Sequence, residues 1–332
     1  MAAVSSQRAT AGSTDGNTRD QDTQFEPYRR ELTGYCYRML GSGSEAEDAV
    51  QETMIRAWRG IDSFEGRSSV RSWLYRIATN ICLDMGRGPQ RRARPMDLGP
   101  SSMVDAVLDA GLGEHAWIQP VADGRVLDHT GDPAELAAGR ESIRLAFVAA
   151  LQHLPPRQRA VLILREVLHW HATEVAELLE ASVASVNSSL QRARATLALA
   201  DLATSEPSVE EHDEELLARY VDAFERYDIS TLVTLLHEDA VQSMPPYQLW
   251  LEGRDRIGAW HLGQGIGCRG ARLVPTRANG RPAFGNYRVS PDGGHRPFAL
   301  QVIDITGDRI SGLHNFLYPE LFEEFGLPAQ LD

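Results

Sequence analysis

The sequence predicts a multidomain protein in which two all-α helical blocks precede an α+β domain. Three observations carry this expectation. Apolar residues recur at helical spacing from Phe25 to about Arg94 and again from Arg140 to Leu202, with a change of composition between the two stretches. The last third instead shows short strand-like segments around the turn Pro291-Asp292-Gly293-Gly294. A chain of 332 residues also exceeds the ~250 beyond which one hydrophobic core stops growing, so two or three domains are required.

Residues 1–24 are polar and small, and are expected to form a disordered tail. In the front block, 25–94, Ser44-Glu45-Ala46-Glu47 reads as a capping box that starts a helix. Val50, Met54, Ala57, Trp58 and Ile61 fall on its apolar face, leaving Asp48, Gln51, Glu52 and Arg56 on the others. Ser68 is expected to cap a second helix with a core stripe of Val70, Trp73, Leu74, Ile77 and Ile81. Asn80, Asp84 and Arg87 line up on another face of that helix and lead into Arg91, Arg92 and Arg94. Clustered arginines suit phosphates, and Asn, Asp and Arg can hydrogen-bond base edges.

Residues 95–139 are acidic and rich in Gly and Pro, and are expected to form a long linker with one apolar anchor at Trp117-Ile118-Gln119-Pro120. In the second block, 140–203, a helix begins at Pro155-Pro156. Thr173 to Leu179 and Val183 to Leu197 then have the proportions of a helix-turn-helix, whose second helix presents Ser185, Asn187, Ser188, Gln191, Arg192 and Arg194. After a hinge at 206–211 comes the rear domain, 210–332. It opens with amphipathic helices through Leu216 to Phe224 and Leu232 to Leu236, and continues with strands at Ala271 to Thr276, Ala283 to Val289, Pro297 to Ile305 and Arg309 to Leu317.

The net charge of -13 opposes a nucleic-acid partner at first sight, because phosphate attraction dominates affinity for DNA. The charge is uneven, however: residues 27–94 hold 12 Arg against 8 carboxylates, and 210–332 hold 11 Arg against 19. The front is therefore the expected DNA-facing part. No run approaches the ~18 apolar residues of a membrane helix, and no apolar signal core is present, so a cytoplasmic protein with no membrane partner is expected. Cys36, Cys82 and Cys268 lack paired spacing and read as reduced, buried thiols. His169 and His171 have no third ligand nearby in sequence, so no metal and no cofactor are expected.

Asp48-Ala49-Val50-Gln51-Glu52-Thr53, Arg56-Ala57-Trp58 and Trp73-Leu74-Tyr75-Arg76-Ile77-Ala78-Thr79-Asn80 resemble region 2 of extracytoplasmic-function (ECF) sigma factors of the sigma-70 family. Leu154-Pro155-Pro156-Arg157-Gln158-Arg159, Ser185-Val186-Asn187-Ser188 and Arg192-Ala193-Arg194 resemble region 4 of the same family. The resemblance implies core RNA polymerase and promoter DNA as partners. It puts Asp48, Gln51 and Glu52 on the clamp helices of the largest polymerase subunit. Asn80, Asp84, Arg87, Arg91 and Arg92 would meet the melted -10 element, together with the loop Asp62 to Ser69. Ser185, Asn187, Ser188, Gln191, Arg192 and Arg194 would read the -35 element. Two departures from the family pattern are Met85-Gly86 and Gly88-Pro89, where basic residues usually continue the helix, and Glu180, which stands in a turn where Gly is common. A left-handed backbone there costs Glu roughly 1 kcal/mol.

Leu236-His237-Glu238-Asp239-Ala240-Val241 and Gly253-Arg254-Asp255 are similar to the SnoaL-like branch of the nuclear-transport-factor fold, a cone with a curved sheet. The resemblance implies a regulatory module that packs on the DNA-reading blocks in place of a separate anti-sigma protein, with Trp117 and Pro120 docking between domains and room for an unidentified small ligand. Relatives of this fold that are enzymes use an Asp or His inside the cone, for which Asp304, Arg288, His314, Asp239 and His237 are the candidates. No nucleophile motif supports catalysis, and no catalytic residue is assigned. Two other readings stand beside the sigma factor: a helix-turn-helix regulator with a ligand-sensing domain, which has no need of the front block, and an enzyme of the SnoaL-like fold.

Overall fold

The computed structural model describes residues 24–66, 68–87, 92–108, 110–127, 130, 132–198 and 210–332. The expected tail and most of the hinge lie outside them, as do Arg91 and the Gly88-Pro89 step. The front block is three helices, α1 (Arg29–Leu40), α2 (Gly43–Gly60) and α3 (Val70–Met85). Both capping expectations are displaced by a residue or two. Ser42, not Ser44, caps α2 by accepting from Glu45 N, and Ser69, not Ser68, caps α3 by accepting from Ser72 N. The shift at α2 follows from burial: Ser42 is fully buried and its hydroxyl also donates to Gln119, a tertiary bond that a local capping pattern does not encode.

The stretch expected as linker is largely folded onto its neighbours. Trp117 is 0% exposed, Ala93 and Trp117 form a parallel bridge, and Gln119 N donates to Gly41 O at 2.9 Å. A helix α4 (Pro133–Glu141) crosses into the second block. That block continues with α5 (Leu145–Gln152), α6 (Pro156–Leu162), α7 (Ala172–Leu178) and α8 (Val183–Leu197).

The rear domain contains α9 (Glu210–Glu225), α10 (Ile229–Leu235), β1 (Leu236–Ser243), β2 (Trp250–Glu252), α11 (Arg254–Leu262), β3 (Arg272–Ala278), β4 (Arg281–Val289), β5 (His295–Thr306) and β6 (Arg309–Phe316). One six-stranded sheet has the order β2-β1-β6-β5-β4-β3, antiparallel except where β1 lies parallel to β6. Strands alternate side chains between faces. Ile303, Ile305, Leu313 and Phe284 accordingly pack inward with Tyr220 and Phe224 of α9, forming the core of the cone. Leu300, Val302, Ala283 and Phe316 point outward, into a second core shared with both helical blocks and with Trp117 and Ile118. The outer face of the sheet is thus the surface on which the helical blocks rest.

Residues 99–108 and 110–112 form a strap across the rear domain. Ser102 N donates to Trp250 O at 2.8 Å, Trp250 Nε1 to Gly99 O at 3.0 Å, Gln264 Nε2 to Ala106 O at 2.9 Å and Leu112 N to Pro246 O at 2.9 Å. Val104 and Ala106 pack against the core of the cone.

Candidate nucleic-acid and polymerase interface

Burial of Ala46, Ala49, Val50, Thr53, Met54 and Ala57 fixes which side of α2 faces inward. Asp48 and Gln51 consequently stand exposed, and Glu52 is half-buried beside Arg56, to which it is paired at 2.7 Å. A groove of about 510 Å³ runs beside them, lined by Arg29, Glu47, Gln51, Met54, Ile55 and Trp58. Polar rims around an apolar floor of this kind suit a partner helix.

On α3, Leu74, Tyr75, Ala78, Ile81 and Cys82 form the buried stripe and leave Asn80 and Asp84 exposed. Arg87 is exposed and pairs with Asp84 at 2.9 Å. Arg92 departs from expectation. It is only 8% exposed, pairs with Glu45 at 2.6 Å and donates to Trp117 O at 2.9 Å and Glu114 O at 3.1 Å, so in this arrangement it ties the linker to α2 and is withheld from DNA. The sequence pattern grouped it with exposed arginines because Trp117, its partner, lies 25 residues away.

In the second block Val186, Leu190 and Ala193 anchor α8. Ser185, Asn187, Ser188, Gln191, Arg192 and Arg194 are exposed on it, and Arg194 is also paired with Glu166 at 2.8 Å. Ser182 caps α8, accepting from Ser185 N at 3.1 Å. Glu180 in the preceding turn has φ +50°, the left-handed conformation considered above. His171 starts α7 by donating its N–H to Glu174 at 2.7 Å, and among the described residues no cluster of metal-ligating side chains occurs.

The two blocks are packed together. Trp170 lies 5.0 Å from Tyr75 of α3, and Arg71 stacks on both rings at 5.2 and 5.3 Å while pairing with Glu31 at 2.8 Å. Arg159 of α6, 8% exposed, donates to Met39 O of α1 and to Leu154 O at 3.1 Å.

A further junction lies at a residue that the sequence pattern passed over. Asn279, 0% exposed, sits with Gly280 in the two-residue turn between β3 and β4, where both have positive φ (56° and 72°). Asn-Gly is the preferred pair for such a hairpin, so the turn itself was open to recognition. Its side chain accepts from Val121 N at 3.0 Å and donates to Tyr37 Oη at 2.6 Å and to Ile143 O at 2.7 Å. One side chain thus joins the rear domain to the linker, the front block and the second block. Asp123 reinforces the junction by accepting from Gly280 N at 2.7 Å and from Arg277 at 3.2 Å. Trp117 and Pro120 are both buried just before it.

Asp304 and His314, offered as residues of the cone interior, lie on its outer face. His314 bridges Ser243 (Nδ1–Oγ 3.0 Å) and Asp304 (Nε2–Oδ2 3.1 Å), and Asp304 faces Arg281 at 3.4 Å and Arg144 of the second block at 3.9 Å. Burial works against the charge of Asp304, but the His314 hydrogen bond and the charges of His314, Arg281 and Arg144 outweigh it and hold this carboxyl well below the usual carboxylate range. Strand alternation decides the matter: Asp304 follows Leu300 and Val302 outward, whereas Ile303 and Ile305 point in. His237 and Asp239 sit together near the start of β1, with Asp239 N donating to His237 Nδ1 at 3.3 Å. Arg288 lies over the Phe298 ring at 3.3 Å and donates to Cys268 Sγ at 3.1 Å. No helix among the described residues is long and apolar enough to cross a membrane, and all three cysteines are buried thiols.

Three family models match parts of the chain. Sigma-70 region 2 matches residues 24–92, sigma-70 region 4 matches 144–197 and a SnoaL-like domain matches 217–310. The chain is 46% identical over 324 residues to the ECF RNA polymerase sigma factor SigG of Mycobacterium tuberculosis, covering 96% of this chain and 86% of that protein. It is 28% identical over 316 residues to SigJ of the same organism, covering 90% and 92%. The crystal structure of Mycobacterium tuberculosis SigJ shares the fold, with a TM-score of 0.60 at 23% identity over 92% of this chain and 100% of that one. Two DNA-reading helical blocks, a SnoaL-like rear domain and a relative of this identity along nearly the whole chain lead to one conclusion: the protein belongs to the ECF RNA polymerase sigma factor family.

Proposed function

We propose that this sigma factor binds core RNA polymerase through the exposed side of α2 (Asp48, Gln51 and Glu52) and reads promoters with α3 and α8, and that its rear domain holds it in a closed, silent arrangement until released. The working units are 25–94, 140–203 and 210–332, with 95–139 between them. The chain catalyses nothing itself in this reading, since Asp304 and His314 are engaged at a packing interface.

The observation that carries the proposal is the Asn279 junction. Promoter elements are separated along DNA, so the two blocks must move apart to grip both, yet Asn279 binds the front block through Tyr37 and the segment leading into the second block through Ile143. Asn80, Asp84, Arg87 and the exposed face of α8 are the DNA contacts in this reading; Arg92 joins them only if the linker lifts from α2. The expectation of a small ligand in the cone draws support from Gln242 and Asn286, each 1% exposed with one amide atom lacking a partner.

Run-off transcription with purified core polymerase on a promoter library tests the reading. Specific initiation is expected, and it should rise when Asn279→Gly opens the junction. Failure of both proteins to initiate anywhere sinks the sigma-factor reading, while equal output at every promoter sinks the restraint.

A further inference from the structure

The two DNA-reading blocks face each other across a cleft of about 220 Å³. Its front-block wall is Ser68, Ser69, Ser72 and Arg76, and its opposite wall includes Glu174 and Glu177 of α7. The first wall presents donors. The hydroxyls of Ser69 and Ser72 lie 2.9 Å apart at the start of α3, and the Nε of Arg76 is buried without a hydrogen-bond partner. Hydroxyls and a guanidinium are the groups that proteins turn toward nucleic-acid phosphates. The second wall presents acceptors. Glu174 and Glu177 are one helical turn apart on the same side of α7, and both are exposed.

We propose that Glu174 and Glu177 stand, in the closed arrangement, where the phosphates of a single DNA strand lie in the open one, so that region 4 competes from within the molecule for the DNA surface of region 2. The inference rests on the closed arrangement proposed above and adds the chemistry of the contact. Region 4 is held against region 2 within the same molecule, so even two carboxylates that only face the donors compete with a strand supplied at micromolar concentration. The cover is leaky by construction. Arg76 Nε remains unpaired and Glu174 already accepts from His171 N, so the carboxylates occupy the surface without locking it.

The test is fluorescence anisotropy on the full-length chain with a fluorescein-labelled 15-nucleotide single strand of mixed sequence. The double variant Glu174→Gln, Glu177→Gln removes the charges, and Gln at 174 preserves the capping box. It is expected to bind the strand at least fivefold more tightly than the parent, and adding Arg76→Gln should abolish the gain. Glu214→Gln with Glu215→Gln, an equal charge change on α9, should leave affinity unchanged. An equal gain from that remote pair, or no gain at the cleft, overturns the proposal. Cross-linking Ser72→Cys to Glu177→Cys with a short bismaleimide separates the two ways of failing. If the link forms and the Gln variants show no gain, the acidic cover is wrong and the closed arrangement stands; if it does not form, the closed arrangement falls and takes the cover with it.

Discussion

Replacing Asn279 by Gly isolates the junction from the hairpin that carries it. Gly adopts the positive φ of this turn without strain, so the β3–β4 connection survives, while the three side-chain hydrogen bonds disappear. Tyr37 keeps a partner, because its hydroxyl also donates to Gln119 O at 2.7 Å. Val121 N–H and Ile143 C=O lose Asn279 in a buried setting. Each unsatisfied buried backbone group costs about 1–3 kcal/mol, so the docked arrangement should lose roughly 2–4 kcal/mol after local relaxation. Since 1.4 kcal/mol is tenfold, the ratio of closed to open molecules should fall by about 30- to 1000-fold. Hydrogen exchange reads this directly: the Val121 amide should lose protection in the variant while amides in the interior of the β4–β5 ladder keep theirs. Equal protection of Val121 in both proteins would refute the energetic argument.

Glu180→Gly should raise the stability of the second block by about 0.5–1 kcal/mol in urea denaturation, because Gly relieves a left-handed position, and a destabilised variant would show that the Glu side chain contributes something its φ does not reveal. Asp304 has a depressed pKa when folded, so its contribution to stability is complete above the unfolded value of about 4 and fades as pH falls below it. The parent should therefore lose more stability than Asp304→Asn between pH 5 and pH 3, and parallel urea midpoints over that range would contradict the assignment. Asp48→Ala with Gln51→Ala should cut co-purification with core polymerase at least tenfold while changing stability by no more than about 0.5 kcal/mol, as expected of exposed positions. Undiminished co-purification would move the polymerase contact elsewhere.

The elements that were legible in the sequence are those whose determinants are local. The stripe through Leu74 and Ile81, the apolar anchor of α8 and the strands β3 to β6 follow from spacing alone, and the observed strands differ from the expected ones by a few residues at their ends. The start of the rear sheet was not legible. Leu236 continues the apolar rhythm of α10, yet the chain turns there into β1, because pairing with β6 some 70 residues later sets its conformation. The same limit applies to the site. Exposed candidates such as Asn80 and Asn187 could be read from periodicity, whereas Arg92, Asn279 and the outward turn of Asp304 are defined by partners far along the chain. Asn279-Gly280 did announce a hairpin, but nothing local says that its side chain would be buried under two other units.

The strap at 99–108 and 110–112 constrains how the domains can part. It leaves the front block at Ala93 and returns to it at Trp117, so both its ends are moored to the same body while its middle grips the edge strand β2 and the neighbourhood of Gln264. If the second block swings away as proposed, the rear domain stays leashed to the front block and travels with it. The chain from 124 to 144, which reaches roughly 70 Å at full extension, is then what pays out between the moving parts. In the proposed reading, whatever docks along α2 then has the rear domain as a fixed neighbour throughout initiation.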